Sequence, residues 1–180
     1  MNKASEHKPV KLITGLIFSQ AGVLRRAKTA LNRQFGRADF ESQILDFNYT
    51  DYYEKEFGRD LKRQFLSFKR LINPGDLAAI KLFTNRLEFK LGYKPKNAGK
   101  IARRINIDPG YLELPKLVLA TTKDFSHRIY LKKGIFAEVT LTYRKSSFKP
   151  LDWTYPDYRT PQYLSIFNHI RKLYYSQIYP

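Results

Sequence analysis

The chain has 180 residues, 43% of them hydrophobic and 15% aromatic, with 33 lysines and arginines against 16 acidic residues and a net charge of +17. That length and apolar content suit one domain with its own core and argue against a disordered chain. Cysteine is absent, which excludes disulfides, thiolate metal sites and cysteine nucleophiles. No apolar run approaches the ~18 residues of a membrane-spanning helix, so no membrane is expected as a partner.

In chain order, residues 1–8 read as a polar, frayed leader and residues 9–180 as a single globular domain. Val10–Ser19 is nearly continuous in apolar side chains, the pattern of a buried strand rather than a signal-peptide core. Gly22–Gly36 sets Leu24, Ala27, Leu31 and Phe35 on one helical face, closes on Gly36, and carries Arg25, Arg26, Lys28 and Arg33 elsewhere. A second strand around Glu41–Tyr49 completes a strand–helix–strand unit, with a right-handed crossover as the default. Arg59–Ile72 repeats the helical spacing through Leu61, Phe65, Phe68 and Ile72. Asn73-Pro74-Gly75-Asp76 breaks the pattern and caps a further helix that reaches about Leu91.

Tyr93–Lys100 is a basic loop. Arg104–Ile107 is expected as a short strand that ends in an Asp108-Pro109-Gly110 turn. Leu114–Phe125 is open to helix or strand; the helical period through Leu114, Leu117, Val118, Thr121 and Phe125, with Pro115 at a helix start, favours helix. His127–Arg144 predicts a β-hairpin turning at Lys132-Lys133-Gly134. Pro150–Thr160 is an aromatic loop, and Pro161 opens a terminal helix that turns Leu164, Phe167, Ile170 and Tyr174 inward. The expected class is α+β: one domain, a mixed or antiparallel sheet, an N-terminal strand–helix–strand unit, a late hairpin and a C-terminal helix.

The hairpin gives the sharpest local expectation. Pairing Leu131 with Ile135 sets Tyr130 against Phe136 and Arg128 against Glu138. Glu138, Thr140, Thr142 and Arg144 then form a polar row, and Ile129, Ala137, Val139 and Leu141 an apolar one. A two-residue turn would shift this register and undo the Arg128–Glu138 pair. Elsewhere, Lys81, Asn85 and Glu88 share one helical stripe. Asp108 fits either turn chemistry or a carboxylate held at a strand end for a cation or a proton. His127 fits a proton shuttle or a structural role. No phosphate-binding P-loop, dinucleotide fingerprint, nucleophile elbow or zinc motif occurs, so any metal would be a hard ion held by Asp and Glu.

Several segments together resemble the bacterial domain of unknown function 4416 family. They are F-N-Y-T-D-Y-Y-E at Phe47–Glu54, Ile80-Lys81 and Thr84-Asn85 with Glu88, and N-I-D-P-G-Y at Asn106–Tyr111. They continue with L-V-L-A-T-T-K-D, H-R-I-Y-L, G-I-F-A-E-V-T-L and Y-P-D-Y-R. The resemblance carries no established activity, but it implies a shared polar site. On that basis Lys81, Glu88, Asp108, Lys123, His127, Arg128, Glu138, Asp157 and Arg159 are expected to converge.

Two functions then compete. One is a cytoplasmic enzyme or binding protein for a phosphorylated or nucleotide-like anion. In it Lys81, Lys123, Arg128 and Arg159 hold the anion, Asp108, His127 and Glu138 act in proton transfer, and Asp108, Glu138 and Glu88 hold Mg²⁺. The other is a non-catalytic protein that binds RNA or DNA through its basic surface.

Overall fold

A computed structural model describes residues 5–49, 60–93 and 102–180. The elements are β1 (Lys11–Phe18), α1 (Ala21–Phe35), β2 (Ala38–Glu41), β3 (Leu45–Asp46), β4 (Lys62–Phe68), α2 (Leu77–Leu91), β5 (Ile105–Leu112), β6 (Lys116–Thr121), β7 (Ile129–Lys132), β8 (Ile135–Arg144), β9 (Ser147–Pro150) and α3 (Pro161–Ile178). Short 3-10 turns precede the second and third helices at Pro74–Asp76 and Pro156–Arg159.

All nine described strands join one antiparallel sheet with the path β2-β4-β1-β5-β6-β8-β7, β3 pairing with β4 and β9 with β8. Helix α1 carries the chain from β1 to β2 across β4, and α2 carries it from β4 to β5 across β1. Residues 11–112 therefore form two interlocked split βαβ units, and β6 to β9 extend the sheet.

Helices cover both faces of this sheet. On one side α1 and α2 pack with Leu12, Leu16, Leu66, Phe68, Ile105 and Ile107. On the other, Tyr163, Phe167, Ile170 and Tyr174 of α3 meet Ile13, Phe65, Leu112, Leu141 and Phe148. A central strand between two helical layers must be apolar on both faces, which explains why every residue of β1 is buried.

The same double burial corrects two expectations. Residues 62–68 form strand β4 rather than a helix, paired with β1 along its length. Leu61, Phe65 and Phe68 match a helical period only because apolar residues occupy both faces of the strand. Lys116–Thr121 is likewise a strand, held between β5 and β8, not part of a helix over 114–125. The stretch expected as one strand over 41–49 is split between β2 and β3. Helix α1, the Asn73 cap, which accepts from the Gly75 amide at 2.8 Å, and the terminal helix follow the expectation. The basic loop expected at 93–100 lies outside the described residues beyond Tyr93.

The hairpin closes differently from the expected turn. Lys132, not Leu131, pairs with Ile135, which leaves a two-residue Lys133-Gly134 turn. Gly134 has φ 74° and Lys133 φ 53°, the left-handed pair such a turn needs. A bulge between Tyr130 and Lys132 absorbs the extra residue, so Tyr130 still faces Phe136. A second bulge, opposite Leu117–Val118, interrupts β8 at Thr140. Across it the apolar row changes face: Ile135, Ala137 and Val139 pack with Leu77 and Ala78 of α2, whereas Leu141 packs under α3.

Candidate functional site

The Asp-Pro-Gly-Tyr segment is no turn. Strand β5 runs straight through it, with Asp108 opposite Gly15, Pro109 opposite Thr14 and Gly110 opposite Ile13. On its other edge β5 meets β6 only from Gly110 to Leu112. Toward Ile105 the two strands part: β5 stays on β1, and β6 continues to Thr121 on β8. The motif is therefore a fork in the sheet. Gly110 sits where β6 arrives, since a Cβ there would lie 2.4 Å from the Val118 carbonyl oxygen. Pro109 sits where β6 has left, and it has no N–H to lose a partner.

Ile107, two residues back and hence on the same edge, does have backbone groups to satisfy. Its N–H donates to Glu88 Oε1 at 2.6 Å, and its carbonyl accepts from Lys81 Nζ at 3.1 Å. Two side chains of α2 thus replace the missing strand. The i, i+7 spacing of Lys81 and Glu88 on one helical stripe lets both reach the same edge.

Between the parted strands lies a cleft of about 570 Å³. Lys81, Asn85, Glu88 and Phe89 line it from α2, Asn106 and Asp108 from β5, and Leu119 to Lys123 from the end of β6 and beyond. Ile17, Phe47, Tyr49, Arg63, Arg103, Glu138 and Tyr155–Tyr158 complete the wall.

Asp108 is the hub of the floor. Its Oδ1 accepts from Lys81 Nζ at 3.3 Å and its Oδ2 from Asn106 Nδ2 at 2.6 Å, while Arg63 Nη1 lies 3.9 Å away. Arg63, 3% exposed, donates from Nη2 to Asp157 Oδ2 at 2.9 Å. Its guanidinium carbon stands 5.0, 5.4 and 5.7 Å from the ring centroids of Phe47, Phe65 and Tyr158. Nε and Nη1 have no hydrogen-bond acceptor among the described residues, so the aromatic faces supply their electrostatic support. Gly15 leaves the room this needs, because a Cβ there would come within 2.8 Å of Nη1.

Burial shapes the ionisation of this network. It opposes the charge on Arg63, but the oxygens of Tyr158, Asp157, Tyr163 and Asp108 outweigh it and raise the guanidinium pKa further. Burial pushes the Asp157 carboxyl above its ordinary value against the pull of Arg63. It also raises the Glu88 carboxyl, opposed by Lys81 and by the Ile107 amide.

A second cluster meets the cleft at Glu138. Its Oε2 accepts from Arg128 Nε at 2.7 Å and lies 3.2 Å from His127 Nε2. Arg128 also donates to Tyr155 Oη at 2.8 Å and to the Lys123 carbonyl at 3.1 Å. His127 stacks on Trp153, the chain's one tryptophan, with centroids 5.2 Å apart. Trp153 and Thr154 donate to the Val139 and Thr140 carbonyls at the β8 bulge.

Of the nine residues expected to converge, Lys81, Glu88, Asp108, Lys123, Glu138 and Asp157 line the cleft. His127 and Arg128 join it through Glu138. Arg159 stands apart, since its guanidinium binds the carbonyls of Thr154, Leu151 and Asp152 and holds that loop together. Glu88, Asp108 and Glu138 do not gather as Mg²⁺ ligands: among the described residues no three His, Asp or Glu side chains form a metal-sized cluster. Each of those carboxylates instead faces a cation, Arg103, Lys81 and Arg128 respectively.

Arg63 and Arg103 were not singled out from the sequence; Tyr155 and Tyr158 were read there as packing residues of the aromatic loop, and Asn106 only as the start of the N-I-D-P-G-Y segment. Asn106 alone carried a readable signal, because i, i+2 spacing puts it on the same strand face as Asp108.

Fold and cleft together define an α+β protein with a cleft lined by acidic and basic side chains at a sheet fork. Residues 8–174 match the family described as domain of unknown function (DUF4416), and the chain belongs to that family. No curated protein and no solved structure is significantly similar to it. Among the described residues no helix is long and apolar enough to cross a membrane.

Proposed function

We propose that this chain is a cytoplasmic bacterial protein whose cleft binds, and by acid–base chemistry processes, a small phosphorylated, nucleotide-like anion. The observation that supports this best is the gathering of cations, carboxylates and aromatic rings in one cleft of about 570 Å³, a volume usual for small-molecule sites. Arg103 and Lys123 provide positive charge along the cleft wall, and the chain's +17 charge favours the approach of anions. Tyr49, Phe89 and Tyr155 offer ring surface at exposed positions. Asp108 is the best-placed proton acceptor, and His127 with Glu138 forms the second acid–base pair.

A thermal-shift series with ribonucleotides and phosphate esters, with and without Mg²⁺, tests the proposal. Binding predicts a concentration-dependent rise in Tm, worth about 2.7 kcal/mol at a hundredfold excess over Kd, and a weaker rise in Lys123→Ala. No rise with any of them, together with unchanged stability in Arg128→Ala, overturns it.

A second reading, RNA or DNA binding without catalysis, draws support from α1. That helix carries no acidic residue and exposes Arg25, Arg26 and Arg33, with Arg37 just beyond it. It predicts an affinity that falls steeply with salt. Salt-independent binding, or none, removes it.

A further inference from the structure

We infer that Asp108 is the ligand-contacting carboxylate of the cleft and that it accepts hydrogen bonds from the hydroxyls of a phosphorylated polyol, such as the ribose of a ribonucleotide. The inference rests on the binding function proposed above and names which end of the ligand goes where. The cleft floor is turned the opposite way from a simple phosphate site. Its cations point into protein: Arg63 is given to Asp157, and Lys81, 7% exposed, to the Ile107 carbonyl and Asp108. Asp108 is 27% exposed and is the floor group that a ligand can reach.

Its two oxygens are already oriented, one by Lys81 and one by Asn106. A carboxylate has about four acceptor sites, so each oxygen keeps capacity for a donor from the ligand. A phosphate placed here would meet the charges of both Asp108 and Asp157. A neutral pair of hydroxyls would not, and an acidic side chain on ribose hydroxyls is a recurrent solution. The lining is balanced, with Arg63, Lys81, Arg103 and Lys123 against Glu88, Asp108, Glu138 and Asp157. A neutral donor therefore suits the floor. The anionic end goes to the rim, where Arg103 is 21% exposed and Lys123 is exposed.

Calorimetric titration of the wild-type protein tests this with ribonucleoside 5′-monophosphates, their 2′,3′-dideoxy counterparts, ribose 5-phosphate and inorganic phosphate. Loss of the hydroxyls is expected to weaken binding about tenfold or more, the scale of a hydrogen bond to a charged group. Ribose 5-phosphate is expected to bind more tightly than inorganic phosphate. In Asp108→Asn the discrimination between ribo and dideoxy forms shrinks. Equal affinity of ribo and dideoxy ligands for the wild type overturns the assignment of Asp108 and leaves the binding function standing. No binding by any of the four overturns both. The wild-type comparison decides the question even where the variant folds poorly.

Discussion

Glu88 accepts the backbone N–H of Ile107 at 2.6 Å, so a side chain of α2 completes a strand edge that β6 has abandoned. The bond also fixes α2 against the fork that opens the cleft. Glu88→Ala leaves the Ile107 amide and Arg103 without this acceptor and is expected to cost about 2–3 kcal/mol, measured by urea denaturation.

Glu88 also gives the protein a pH signature. Burial holds its carboxyl above the ordinary value of 4.5, so between the unfolded and folded pKa values the folded state binds more protons. Stability contributed through this group falls as pH rises through that window. The difference in Tm between wild type and Glu88→Gln is therefore expected to decline as pH rises above about 4.5. A difference that grows with pH would contradict the assigned direction.

Arg63 and Asp157 form a buried pair whose loss leaves an uncompensated charge. Arg63→Ala is expected to destabilise by about 3–5 kcal/mol, and denaturation midpoints check it. Arg63→Lys keeps the charge but loses the planar fork that reaches both Asp157 and Asp108, so a smaller loss is expected.

The two glycines of the central strands are expected to differ in their tolerance of alanine. At Gly110 the new Cβ meets the Val118 backbone at 2.4 Å; at Gly15 it meets the Arg63 guanidinium at 2.8 Å. Backbone in a sheet cannot give way, whereas a side-chain end can. Gly110→Ala should therefore cost more than the roughly 1–3 kcal/mol of ordinary overpacking, and Gly15→Ala should fall within that range. Paired melting curves read the order.

What the sequence made legible was mostly local. The one-sided apolar spacing of Leu24, Ala27, Leu31 and Phe35 shows α1, and Asn73-Pro74 shows where the next helix starts. The central strands were harder. Residues 62–68 and 116–121 carry buried apolar side chains on both faces, which removes the alternation that marks a strand, and Arg63 was hidden with them. Asp-Pro-Gly looked like a turn because turn residues are read from their neighbours in sequence. Their role here depends on where β6 leaves β5, a long-range fact. Arg128–Glu138 was found through an expected register that the real turn breaks, and the bulge before Lys132 restored the pairing.

Arg159→Ala and Lys123→Ala together test the proposed division between a structural cation and a ligand-binding one. Arg159→Ala removes bonds to three carbonyls and is expected to lower stability by about 1–3 kcal/mol with ligand affinity unchanged. Lys123→Ala is expected to lower affinity and to change the melting temperature of the free protein less than Arg159→Ala does. Calorimetry and thermal melts on the two variants give the contrast.

The most direct test of the cleft as binding site is an amide chemical-shift map of the labelled protein on addition of ribonucleoside 5′-monophosphates. Perturbations are predicted at Asn106–Asp108, Lys81–Glu88, Thr121–Lys123 and Tyr155–Tyr158, the segments that wall the fork. Shifts confined to α1, or none at saturating ligand, would contradict it.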